Sequence, residues 1–310
     1  MNLLLPLEIT QAILTSNGAG ADTAAEYLDA TTYALDAEVK VTATASPTPV
    51  NEGNAVYKSL QASNQGNDPT TDIEQIWWEE QSGTVKHEMF DPFESTQTTA
   101  TTSLEWDIVP TEIITGISFH NLDGYQIEVI CTSALDGEVY NEVINLVDEG
   151  LLIDEWAWCF EPIVRTQDYA ITNIPPYDDL TIEMTLLNDT GETAACGICA
   201  IGYNVLLGGT QWGAAYGLLD YSLKVRDTVT GRVNLAPAAY AETGSFRIKA
   251  STQAVSSIRR QLTGLRGTPL SMIPTTVYDG TSIWGFIREW RVVYETTDFS
   301  ILQIDAEGLS

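Results

Sequence analysis

Between Ile114 and Leu207 the chain repeats one pattern six times: ITGISFHNL, GYQIEVICTS, EVYNEVINLV, DYAITNI, LTIEMTLLN and ACGICAIGYNVLL. Asp-Gly, Pro-Pro and Asn-Asp-Thr-Gly turns fall among these pieces. Runs this short, closed by residues that favour turns, make strands rather than helices. Residues 181–186, TIEMTL, alternate apolar and polar side chains, as a strand with one dry and one wet face requires. Residues 87–209 are therefore expected to form a β-sandwich or jelly roll.

The flanking regions read differently. Residues 1–21 form an N-terminal arm, NLLLPLEITQAILTS followed by a connector rich in Gly and Ala. Its leucines and isoleucines need cover, either from another subunit or from the chain's own sandwich. Residues 22–86 hold the strand-like pieces TTYALDAEVKVTAT and AVYKSLQAS, the separator SPTPVNEGN and the closing pair Trp77-Trp78. This is a very small β domain that depends on its neighbours. In residues 210–310, GSFRIKA, PLSMIPT, SIWGFIREWRVVYET and FSILQIDAEGL read as strands. Between them, STQAVSSIRRQLTGLRG places Val255, Ile258, Leu262 and Leu265 on one helical stripe. Ser251 or Thr252 suits its start, and Arg266 with Gly267 its end. The fold class is thus mainly β: a small β domain, a central sandwich and a C-terminal α+β domain with one amphipathic helix.

Charge narrows the partners. The 310 residues carry a net charge of −29, which repels phosphates and argues against nucleic acid. Before Arg165 the basic residues are Lys40, Lys58 and Lys86, whereas ten of the fourteen lie between Lys224 and Arg291. The near-neutral C-terminal part is suited to burial against partners, and the acidic part to water. No apolar run approaches the roughly 20 residues of a membrane span. The N-terminus lacks the basic start of a secretory signal, so the chain is expected to be made in a cytoplasm without its own export signal.

Little in the sequence spells catalysis. Cys196-Gly-Ile-Cys199 has redox or zinc spacing but sits in an apolar strand with no second pair, and reads as core. His87 and His120 are the two histidines; His120, near a strand end, is expected to make a turn hydrogen bond. Acidic pairs such as Asp148-Glu149, Asp154-Glu155 and Asp178-Asp179 are common in a chain with 43 acids. Trp156 and Trp158 would share one strand face, as core or interface. No cofactor is expected, except for structural calcium at a turn such as Asn188-Asp189-Thr190-Gly191.

Two resemblances add to this. ATTYALDAEV, VYKSLQASNQGNDP and the Trp pair resemble the chitin-binding type of carbohydrate-binding module in bacterial chitinases. Tyr33, Val39, Tyr57, Asn64, Gly66, Pro69 and Trp78 occupy the pattern's places. Asp36-Ala37 stands for its Gly-Asp, Leu28 holds the leading aromatic place unless Tyr27 fills it, and SPTPVNEG lengthens the hairpin loop. The resemblance implies glycan contact through Tyr33, Tyr57, Trp77 and Trp78, with sugar faces stacked on the rings. A wider resemblance, carried by the N-terminal arm, HEMFDPFESTQTT, TQWGAAYGLLDYS and the C-terminal strands, is to virion proteins of tailed bacteriophages. It implies a non-enzymatic structural component of the tail tip or adsorption apparatus, made in the host cytoplasm. Its partners would be copies of itself, other phage tail proteins and host surface polysaccharide. The alternatives are a free glycan-binding module protein without a virion, and a glycoside hydrolase or lyase built in the sandwich.

Overall fold

The computed structural model describes residues 1–42, 54–147, 154–160, 163–226, 231–276 and 281–309. The SPTPVNEG loop, the Asp148-Glu149 pair and the side chain of Trp158 lie outside the described residues. The fold is mainly β, with 51% strand and 8% helix.

The six repeated pieces form strands and close a sandwich. Strands Gly137–Asn145, Gln126–Ser133, Leu180–Leu187, Ser103–Ile108 and Leu14–Asn17 make a five-stranded antiparallel sheet in that order. It packs on Gly116–Asp123 and Thr193–Leu206, which belong to one end of an eleven-stranded antiparallel sheet. Trp106, Phe119, Ile127, Val129, Ile182 and Met184 fill the space between. The strict alternation of Leu180–Leu187 appears as buried and less buried residues in turn.

The arm completes the large sheet. Asn2–Pro6 pairs with Thr193–Leu206 on one side and Leu270–Ile273 on the other. Of its two expected placements, the chain takes the one folded back on itself. The reason lies in NLLLP: apolar residues on both faces suit a central strand covered twice. Leu3 and Leu4, each 0% exposed, enter cores on opposite faces. Through this strand the sandwich and the C-terminal strands share one sheet across the 209/210 boundary.

The C-terminal part has its own core, where Phe246, Ile248, Leu302 and Ile304 meet Ile258 and Leu262 of the helix Val255–Gly264. The helix end follows expectation, with Gly267 at φ 69 and Arg266 Nε donating to the Thr263 carbonyl. Its start differs. A 3₁₀ turn, Thr252–Ala254, leads in, and Thr252 Oγ1 bonds the Thr296 carbonyl and Ser300 instead of capping.

The small domain is a four-stranded sheet, Ala25–Glu26, Glu38–Val41, Ala55–Ser59 and Trp78–Gly83, with a separate core. Asp36 adopts φ 65, the left-handed backbone that glycine takes most readily and Asp tolerates.

Two segments depart from expectation. The stretch EWAWCF, read as a strand face, is the short helix Glu155–Phe160. Helical spacing brings Trp156 and Phe160 together, with ring centroids 4.2 Å apart and both side chains exposed. Leu223–Arg226 and Val233–Ala236 form a two-stranded ribbon paired with no other strand among the described residues. No described helix is long and apolar enough to cross a membrane.

Candidate functional sites

The residues expected to stack on sugars lie together in the small domain, but two of them face inward. Trp78 opens the strand Trp78–Gly83 and Trp77 lies just before it, and the two differ in burial. Trp78 is 1% exposed and donates from Nε1 to the Asn67 carbonyl at 2.7 Å, while Trp77 is half-buried. Tyr57, 8% exposed, packs beside Trp78. Tyr33 stacks on Tyr27 with centroids 5.7 Å apart, and both meet Trp78 edge-on at 5.3 and 5.8 Å. The Tyr33 hydroxyl accepts from the Leu28 amide at 2.8 Å, fixing the ring. Asp72 holds the tryptophan pair in place by accepting the backbone N–H of Ile76, Trp77 and Trp78. Trp78 and Tyr57 are thus core residues. Tyr27, Tyr33 and Trp77 remain partly exposed around that core.

A second site assembles from distant residues. A cleft of about 310 Å³ lies between the sandwich and the C-terminal strands, lined by Glu94, Asn121, Gln167, Asp168, Tyr240 and Glu242 among others. Behind it sits His120, which makes no turn hydrogen bond as expected but is buried within the strand Gly116–Asp123. Its Nε2 lies 3.0 Å from Ser271 Oγ and 3.2 Å from Ser118 Oγ, and its Nδ1 lies 3.3 Å from Asp168 Oδ1. Ser271, His120 and Asp168 therefore stand in the order of a hydrolase triad. Ser271 is 0% exposed, however, and of the three only Asp168 lines the cleft. The row ties the sandwich strand to Leu270–Ile273 as a buried hydrogen-bond network. The cleft itself presents the carboxyls of Glu94, Asp168 and Glu242 and the amides of Asn121 and Gln167.

Burial, helped by Asp168 and Glu242 and opposed by His120, pushes the Glu94 carboxyl up to about 7. Glu88 is likewise pushed up to about 7 and Asp91 to about 6, chiefly by burial. Such acids hold protons in the folded chain that the unfolded chain has released. Their contribution to stability therefore falls as pH rises from about 4.5 to about 7. His87, held down to about 4 by burial, works in the opposite sense below its ordinary value of 6.5. Glu94→Gln isolates one group: the variant should melt with wild type near pH 5 and above it near pH 7.5. Equal differences in melting temperature at the two pH values would contradict the assignment.

The remaining candidates have structural surroundings. Cys196 and Cys199 are buried, and burial raises both thiols far above their ordinary value, away from thiolate chemistry. In the Asn188–Gly191 turn, Asp189 accepts from Arg165 at 2.7 Å, and Asn188 Nδ2 bonds the Thr193 carbonyl. Among the described residues no group of three or more His, Cys, Asp or Glu side chains is arranged to hold a metal ion. No known protein family, curated protein or solved structure matches this chain.

Proposed function

We propose that the chain is a structural subunit of a bacteriophage tail tip or adsorption apparatus, acting through assembly with copies of itself and other tail proteins, with no reaction of its own. The observation that carries this reading is the ribbon Leu223–Arg226/Val233–Ala236. An isolated two-stranded sheet is marginal in water, and this one exposes Leu223, Val225, Val233 and Leu235. Strand Ala215–Asp220, which leads into it, is exposed at every residue, including Leu218 and Tyr216. A ribbon that exposes aliphatic side chains on both faces, beside a strand exposed along its whole length, gains stability when a neighbouring subunit covers it. The virion assignment rests on the wider resemblance of the chain. Mass spectrometry of purified particles of the encoding phage should find the chain in several copies per particle, and its absence would overturn the proposal.

A second reading, a free glycan-binding protein, is favoured by the stacked and partly exposed Tyr27–Tyr33 pair. It differs from the first in needing no particle: a chain that binds polysaccharide and is absent from purified virions would favour it.

A further inference from the structure

Resting on the assembly reading, we infer that the ribbon of one copy docks on the exposed Trp156/Phe160 patch of a second copy, in a head-to-tail contact. The ribbon has two distinct faces. Successive residues alternate, so Leu223 and Val225 share one face and Lys224 and Arg226 the other. The register sets Leu235 opposite Lys224 and Val233 opposite Arg226. The second face therefore mixes two cations with two branched aliphatic side chains. Lys224 pairs with Asp220 at 2.8 Å, while Arg226 makes no ion pair among the described residues.

Such a face fits an aromatic surface edged with carboxylates. Guanidinium groups bind aromatic faces, and Arg and Trp recur at the centres of protein interfaces. The patch around the helix Glu155–Phe160 answers that description. Trp156 is 66% exposed and Phe160 68%, and Ile163 and Val164, close in sequence, are exposed as well. Glu155 precedes the aromatic pair, in the acidic part of the chain, next to Asp154, which already has a partner within its own chain. Charge complementarity selects this pairing over ribbon against ribbon, where Lys224 and Arg226 would meet their own copies. Because donor and acceptor surfaces differ, the contact is heterologous, and successive copies build a ring or a filament.

The test uses two full-length variants, Arg226→Glu/Leu235→Asp in the ribbon and Trp156→Ala/Phe160→Ala in the patch. All four positions are exposed, so the fold should survive, with circular dichroism as the check. Light scattering should show the wild-type chain as a multimer and each variant at single-chain mass. An equimolar mixture of the two should recover a one-to-one dimer and nothing larger, because each variant keeps one intact surface. A patch variant that assembles like wild type, or a mixture that stays monomeric, overturns the docking inference and leaves the assembly reading standing. A wild-type chain of single-chain mass removes both.

Discussion

Gly202→Val is expected to expel the N-terminal strand from the large sheet. Gly202 lies in Thr193–Leu206 opposite Pro6 on one side and Gly116 on the other. A side chain there would start 1.8 Å from the Leu5 carbonyl oxygen and 2.8 Å from its carbon. That is closer than any rotamer relieves, so the backbone of Asn2–Pro6 must move. Its departure removes Leu3 and Leu4 from two cores. Each fully buried leucine is worth about 2–5 kcal/mol, so a total loss on the order of 5 kcal/mol or more follows. The damage exceeds the leucines, because this strand is the link between the sandwich strands and Leu270–Ile273. Without it, the fourteen-residue strand Thr193–Leu206 and the short strand Leu270–Ile273 present unpaired edges and invite aggregation. Gly209→Ala serves as the control, since a side chain there meets nothing within 4 Å; it should change stability by no more than about 0.5 kcal/mol. Thermal melts with hydrogen exchange across residues 2–6 decide the matter. Wild-type protection of that strand in Gly202→Val would refute the argument.

The same strand shows where sequence reading stops. Local periodicity revealed most of the strands and the stripe Val255, Ile258 and Leu262, because burial of one face leaves a trace in neighbouring residues. The partners of NLLLP are about 200 and 270 residues away, and no local pattern encodes that distance. The alternation in EWAWCF suits a strand, and a six-residue helix is too short for its period to outweigh that. Here the i, i+4 contact of Trp156 and Phe160 was the signal that spacing alone did not rank. The cleft is the extreme case. Glu94, Asp168 and Glu242 of its lining, and His120 and Ser271 buried behind it, come from five separate segments, and each alone looks like an ordinary polar residue. The aromatic site was half legible: the cluster was visible, but which ring faced water depended on the register of Trp78–Gly83 with Ala55–Ser59. That register turns Trp78 inward.

Trp78→Ala and Trp77→Ala should therefore behave differently, although the residues are adjacent. The small domain's core holds Val39, Val41, Ala55, Tyr57 and Trp78, with Tyr27, Tyr33 and Trp77 packed around it. Truncating a buried tryptophan costs about 3–5 kcal/mol, comparable to the roughly 3–5 kcal/mol that a core this small supplies. Trp78→Ala should unfold residues 25–83 locally. The sandwich core shares none of those residues and should stay intact. Limited proteolysis would then cut the small domain while residues beyond His87 resist. Trp77→Ala removes a half-buried ring and should leave the domain protected. If Trp77 and the Tyr27–Tyr33 pair contact a glycan, Trp77→Ala lowers retention on host polysaccharide with the domain still folded, whereas Trp78→Ala loses retention because the domain has melted. Unchanged retention in a folded Trp77→Ala would remove Trp77 from the contact, and a protease-resistant Trp78→Ala would show that the ring does not hold this domain together.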